Sequence, residues 1–268
     1  VALDLVDGKI ILHPLDFGVG TGTIASQVTL DANRDPPSVV ASMAFRHLSL
    51  ARIMKATHSF AGDGTIDGEL KIDTVGNSMA AMMARGNGGM KLSMAGGGQL
   101  SALLVDIAGL EFGNALLSAL GVPQKAQVQC FVADLSLSGG VAHTDVLLLQ
   151  TSEARTTGKG DVDFRNETLD YSLDTRSTHF SIGSLPGAIN ITGPLKGPTI
   201  LPGKEVAARA GLAVGLGILA GPAAILPTIQ FGTGEGDACG EAKAEAAKPI
   251  VATAPAPVAR HAPVRRQR

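Results

Sequence analysis

Gly64-Thr65-Ile66-Asp67-Gly68-Glu69-Leu70-Lys71-Ile72 is the stretch that decides the fold class. Ile66, Leu70 and Ile72 alternate with Asp67, Glu69 and Lys71, and Gly64 and Gly68 keep the apolar parity. Successive side chains on a strand point to opposite faces, so the stretch predicts a strand with one apolar and one wet face. The same alternation runs upstream. Leu15, Phe17 and Val19 alternate with Asp16, Gly18 and Gly20, and Ile24, Val28 and Leu30 with Thr23, Gln27 and Thr29. Val39, Ala41, Met43 and Phe45 continue it, and Asp7-Gly8 and Asn33-Arg34-Asp35-Pro36-Pro37 punctuate the runs. Downstream, the β pattern returns at Val128-Cys130-Val132, Val146 to Leu149, Gly158 to Phe164, Leu169-Tyr171-Leu173 and Ile189-Ile191. Turn signals separate these runs at Ser138-Gly139-Gly140, Arg165-Asn166-Glu167 and Gly193-Pro194. Strands that follow one another without long helices between them predict an antiparallel, meandering sheet.

Helical spacing interrupts this pattern twice. A mainly helical insert is expected near 76–121. Ser78 caps a short helix from Met79 to Arg85, a brief strand follows Gly88, and Leu100, Leu103, Leu104, Ile107, Leu110, Leu117 and Leu120 then recur at helical spacing. Lys204 to Ala220 reads as a second helix rich in Ala, Leu and Gly. Ala210 to Gly234 carries no charge, but Gly211, Gly215, Gly217, Gly221, Pro222 and Pro227 break it. It therefore reads as a segment packed on an apolar face rather than a membrane span. From Glu235 on, Ala, Pro, Lys and Arg dominate, which predicts a disordered tail, basic at its end. The expected organisation is a mainly β (α+β) domain over 1–202, a hydrophobic segment over 203–234 and the tail over 235–268.

Composition narrows the function. The chain has 268 residues and a formal net charge of −2, with 34 glycines, one tyrosine, no tryptophan and 3% aromatics. Nucleic-acid binders need basic stripes or stacking rings, so that class is excluded. The glycines lack a period of three, which excludes collagen. Val1 sits inside a strand-like pattern, so the sequence reads as the C-terminal part of a longer chain. Cys130 and Cys239 are the two cysteines. With no CxxC pair and no adjacent His they make no zinc site, and either two thiols or one long-range disulfide fits them.

No catalytic constellation emerges. Gly18-Val19-Gly20-Thr21-Gly22 resembles a phosphate loop, but strand alternation follows it where a helix should open. Gly62-Asp63-Gly64-Thr65-Ile66-Asp67-Gly68 resembles a calcium-roll repeat, but it occurs once where such rolls need several copies. His143 and Asp145 are expected on one strand face, a weak metal pair. Asp161 and Asp163 read as a solvated face rather than a hydrolase pair. The expectation is a protein without enzymatic activity, metal or cofactor.

Three segments resemble the C-terminal region of the AsmA family of bacterial envelope proteins. The first runs from Gly62 to Leu92, where a glycine-punctuated strand leads through Gly76-Asn77-Ser78 and a short helix to Gly86-Asn87-Gly88-Gly89. The second and most specific is Val128-Gln129-Cys130-Phe131-Val132-Ala133-Asp134 with Gly139-Gly140-Val141, Leu147-Leu148-Leu149-Gln150-Thr151, Gly158 to Phe164 and Leu169-Asp170. The third is Ile189-Asn190-Ile191-Thr192-Gly193-Pro194-Leu195-Lys196-Gly197-Pro198. The late Cys239 also fits. The resemblance implies a periplasmic protein anchored in the inner membrane by an N-terminal helix. It also implies similarity to bridge-like lipid-transfer proteins, whose curved sheets form an apolar groove for acyl chains in phospholipid supply and outer-membrane biogenesis.

The residue pattern fits that implication. A sheet with one apolar face needs a cover, and helices near 100–120 and 204–220 are too short to hide a long curved sheet. The remainder would be an open apolar groove, the kind of surface that binds something. The groove candidates are Leu15, Phe17, Val19, Ile24, Val28, Leu30, Ile66, Leu70, Ile72, Leu169, Tyr171 and Leu173. The expected partner is phospholipid through its acyl chains, together with envelope proteins and a membrane anchor upstream. The alternative is a structural or assembly-regulating β module that contacts envelope proteins instead of lipid.

Overall fold

Alternation at period two is realised as one antiparallel sheet of thirteen strands. The computed structural model describes residues 3–12, 17–19, 22–49, 64–95, 127–177, 187–203, 237–248 and 250. The strands are β1 (Leu3–Val6), β2 (Lys9–Leu12), β3 (Phe17–Val19), β4 (Gly22–Asp31), β5 (Ser38–Ser49), β6 (Thr65–Val75) and β7 (Asn87–Ala95). They continue with β8 (Val128–Ser138), β9 (Val141–Thr151), β10 (Ala154–Asp163), β11 (Thr168–Ser177), β12 (Gly187–Pro194) and β13 (Thr199–Pro202). The order is β1-β2-β4-β5-β6-β7-β8-β9-β10-β11-β12-β13, with β3 paired to β4 alongside β2. Nearly every ladder joins strands adjacent in sequence. Among the described residues β1 and β13 do not meet, so the sheet is open.

Tight turns preserve side-chain parity from strand to strand. Gly139 and Gly140 link β8 to β9 at φ of +54° and +82°, the two positive values that a two-residue hairpin turn requires. The β10–β11 turn is built by the Asp163 carboxylate, which accepts from the backbone N–H groups of Arg165 (2.8 Å) and Asn166 (3.2 Å). Bulges break the parity in two places that matter. One lies between Phe45 and Leu48 on β5, where the His47 N–H turns to Asp67 Oδ1 at 3.0 Å. The other lies on β9 at Asp145, opposite the step from Asp134 to Leu135.

Two helices belong to the described residues. α1 (Met79–Met83) is capped by Ser78, whose Oγ accepts from Ala81 N at 3.2 Å. It packs against the end of β6, where the Thr74 hydroxyl donates to the Met82 carbonyl. α2 (Ala238–Ala246) starts at Asp237, whose carboxylate accepts from Gly240 N at 2.8 Å. It lies on β8 and β9.

α2 corrects the expectation of a disordered tail from 235 onward. Ala, Glu and Lys are strong helix formers, and the helix has an apolar bed to lie on. Cys130, Val132 and Leu148 are buried there, with Val146, Ala238, Cys239, Ala242 and Ala246 packed against them. Cys130 and Cys239 form a disulfide, Cα–Cα 6.4 Å, 109 positions apart in sequence. Lys91 fixes the other end of the helix. Its side chain is only 15% exposed, and its ammonium pairs with Asp134 at 2.9 Å and donates to the carbonyls of Ala246 (2.6 Å) and Lys248. A cation on the last carbonyls of a helix satisfies acceptors that have no partner within it.

The insert expected near 76–121 is described as far as Ala95, where the short helix capped by Ser78 and the strand expected after Gly88 both form. Its described part is the single short α1 and then β7, a central strand paired on both sides. The helices expected near 100–120 and 204–220 lie outside the described residues. α2 covers the polar face of the sheet, opposite the expected groove.

Candidate functional site

Register settles which residues share a face. Cα partners across an antiparallel ladder lie on the same face, and the pairing can be followed across the sheet. Leu5, Ile10, Leu30, Val39 and Thr74 form one row through β1, β2, β4, β5 and β6. Val28, Ala41, Ile72 and Gly88 form the next from β4 to β7, and Ser26, Met43, Leu70 and Met90 the one after. Ile24, Phe45, Gly68 and Leu92 complete the set. The rows continue through Leu135 and Leu137 on β8, and the same face carries Leu147 and Leu149 on β9. Nearly all of these residues are apolar. The opposite face carries Thr23, Gln27, Ser42, Asp67, Glu69, Lys71, Lys91 and Asp134, and its apolar island is the bed beneath α2.

The groove candidates distribute over this frame as follows. Ile24, Val28, Leu30, Ile66, Leu70 and Ile72 share the apolar face and are half-buried. Phe17 is the register partner of Ile24, and Val19 of Gly22. Leu15 lies outside the described residues. Leu169, Tyr171 and Leu173 share the same face further along the sheet, but in a packed cluster. Leu173, Ile189 and Ile191 are buried there against Leu147, Leu169, Tyr171 and Ile200. The open part of the apolar face is therefore the β4–β7 half. Met43 and Met90, the two register partners of Leu70, are exposed there at 40% and 37%. Sequence reasoning left both methionines out of the candidate set, although Met43 sat in phase with Ala41 and Phe45.

Glycines on this face are packing positions. Gly68 lies under the Phe45 ring, and Gly158 lies under Leu147, Leu173 and Tyr171; a Cβ at either site would collide with them. The missing side chain makes room for a neighbour's, as aromatic rings do over strand glycines elsewhere.

The polar side chains pair with one another along and across the strands. His143 pairs with Asp161 (Nδ1 to Oδ1, 2.6 Å), its register partner on β10, while Asp145 sits in the bulge; the expected His143–Asp145 face does not form. The Arg165 guanidinium, with Asn166 and two backbone N–H groups, holds the Asp163 carboxyl far below the usual carboxylate range. Burial pushes the Tyr171 phenol up from 10.0, partly opposed by its hydrogen bond to Thr144. A hollow of about 300 Å³ beside α2 is lined by charged groups, among them Arg46, Asp67, Glu69, Lys91 and Lys243, together with Leu92, Val132 and Ala246. Among the described residues no helix is long and apolar enough to cross a membrane.

Comparison with known proteins adds a second line. The AsmA family profile matches residues 1–147. The chain is 30% identical over 238 residues to AsmA family protein YhjG of Escherichia coli (strain K12). That alignment takes in 88% of this chain and 34% of YhjG, so the chain spans about a third of the curated relative it matches. No solved structure matches it.

Proposed function

This chain belongs to the AsmA family, and we propose that the apolar face of its sheet holds phospholipid acyl chains during lipid transport in the bacterial envelope. The observation that carries this reading is the register-continuous apolar face of β4–β7, with Met43 and Met90 open on either side of Leu70. Each acyl methylene fully removed from water contributes about 0.8 kcal/mol, so even partial burial adds up along the length of one chain. Aliphatic and methionine side chains make smooth, adaptable walls that suit a flexible chain better than a rigid ligand. The face then acts as the wall of a groove, and the protein holds and passes lipid without catalysing a reaction. The Cys130–Cys239 disulfide supports a periplasmic location, because such bonds persist in oxidising compartments. An inner-membrane anchor in the full-length protein completes the reading.

Native mass spectrometry of gently purified protein tests it. The expected result is a population carrying phospholipid, which a delipidated sample regains on incubation with lipid micelles. A protein that emerges and stays lipid-free overturns the reading in favour of a structural module that contacts envelope proteins.

A further inference from the structure

Three arginines from separate connections line one hollow at one end of the sheet. Arg34 comes from the β4–β5 turn, Arg85 from the residues after α1 and Arg165 from the β10–β11 turn. The hollow has a volume of about 680 Å³, and Asn87 and Ser138 also line it. Asp73 is the single carboxylate among its described lining residues. Elsewhere acids and bases nearly balance, for the chain carries a formal net charge of −2. Three guanidinium groups thus meet around one cavity, two of them facing carboxylates outside its lining, Asp163 and Asp31.

The arginines differ in how they are held. Arg165 is oriented by Asp163, to which Nε and Nη2 donate at 3.2 and 3.1 Å, and Nη1 lies outside that pair. Arg34 Nε approaches Asp31 Oδ2 at 3.7 Å. Arg85 makes no ion pair among the described residues; its backbone carbonyl accepts from Asn87 Nδ2 at 3.2 Å, which fixes the loop that carries it. The connections are themselves tied together. Gly140 N donates to Gly86 O and Phe164 N to Gly140 O, each at 2.9 Å. The hollow thus has a framed wall, with a guanidinium group contributed by each of three separate connections. That chemistry suits a tetrahedral oxyanion, which takes paired N–H donors from arginine.

We propose that this hollow binds a phosphate group through Arg34, Arg85 and Arg165. The apolar face reaches the same end of the sheet. Ile72 and Leu137 lie under Gly86, and the hollow's strand lining comes from both faces, Thr74 from the apolar-face row of Leu30 and Val39 and Asp73, Val75 and Asn87 from the polar face. A phosphodiester headgroup seated here would leave its acyl chains at the edge of the Met43–Leu70–Met90 strip. The assignment of the phosphate to a lipid rests on the acyl-chain reading above; recognition of phosphate itself does not.

The test uses the whole chain and a variant carrying Arg34→Gln and Arg85→Gln, which spares Arg165 and its role in the turn. Neutral sugar-detergent micelles carry either fluorescent phosphatidylethanolamine or the matching diacylglycerol, and inorganic phosphate is titrated separately by phosphorus NMR line width. The expected result is a loss of about tenfold in phosphatidylethanolamine uptake in the variant, with diacylglycerol uptake unchanged. Equal uptake of both lipids by both proteins, with inorganic phosphate broadened by the native chain alone, also supports the site and makes its ligand a free phosphate. Unchanged lipid preference together with no difference in phosphate broadening overturns the proposal. If neither protein takes up either lipid, the acyl-chain reading fails, and the phosphate titration alone decides the site.

Discussion

The hydroxyls of Tyr171 and Thr144 share a hydrogen bond of 2.9 Å although a whole strand, β10, runs between their own strands. The contact exists because β10 presents Gly158 and Gly160 at the crossing, so the phenol ring lies across bare backbone. Tyr171 is the one tyrosine of the chain, and there is no tryptophan. Its ionisation can therefore be read alone, from ultraviolet absorbance in alkali. Burial raises its pKa above 10.0, so the folded protein is expected to titrate later than the same protein in urea. A phenol whose folded pKa is raised lends stability that is present below the unfolded value of about 10 and lost as pH climbs through the folded one. Tyr171→Phe should flatten that alkaline loss and cost about 1 kcal/mol at neutral pH, measured by denaturant melts. A folded-state midpoint at or below 10 contradicts the burial of the phenol.

Gly158→Val tests the same crossing from the other side. The added side chain meets Leu147, Leu173 and Tyr171, and overpacking of this kind costs about 1–3 kcal/mol. The midpoint of urea unfolding should fall, and the Tyr171 titration should move toward its free value. Gly197→Val, where a Cβ meets no neighbour, should leave both readings where they are.

The strap formed by α2 has two fastenings of different kinds. Replacing both cysteines, Cys130→Ser with Cys239→Ser, opens a loop of 109 positions. In the chain-entropy account this removes about 4–5 kcal/mol of stability. Lys91→Met leaves Asp134, 13% exposed, facing α2 without its cation. The expected cost is about 3 kcal/mol, with faster hydrogen exchange in α2. Adding Asp134→Leu to Lys91→Met should recover most of the loss. A double variant no better than the single would mean that the helix, not the ion pair, depends on Lys91.

Face assignment carries a further prediction about lipid. Leu70→Asp places a carboxylate between the exposed Met43 and Met90. Lipid uptake should fall by at least about tenfold while the circular dichroism of the sheet is retained. Lys71→Gln, one residue along and on the opposite face, should change uptake little. Equal uptake by a folded Leu70→Asp protein would remove the β4–β7 strip from the binding surface.

The sheet was legible in the sequence because its strands alternate at period two and short turns preserve parity at hairpins such as β8–β9 and β10–β11. Ile24, Phe45 and Leu70 could be placed on apolar faces strand by strand, and pairing then joined those faces into one. Bulges were not legible. The extra residue at Asp145 shifts the phase of β9, so Thr144 shares a face with Leu147 while His143 turns to Asp161. Nothing local announces that shift, because it is set by the neighbouring strands. α2 was missed for a different reason. Its stability comes from Cys130, Val132 and Lys91, all more than a hundred residues away, and composition alone favoured a tail. A signal was nonetheless present: Asp237 as a cap, helix-forming Ala, Glu and Lys after it, and Pro249 beyond the end. The in-strand glycines Gly68 and Gly158 give clearance to the protein's own side chains, which no local pattern announces.

The disulfide also decides how the molecule would bear a mechanical load. Ladders between sequence neighbours come apart one hairpin at a time when a chain is drawn from its ends. Tension entering at β1 peels strands in order until it reaches Cys130, then passes through the sulfur bridge to Cys239 and on to the far terminus. Everything between the two cysteines, from the remainder of β8 through β13, sits in a bypassed loop that feels no pull. A protein strung between two anchored points would stretch in its first seven strands and keep the rest folded.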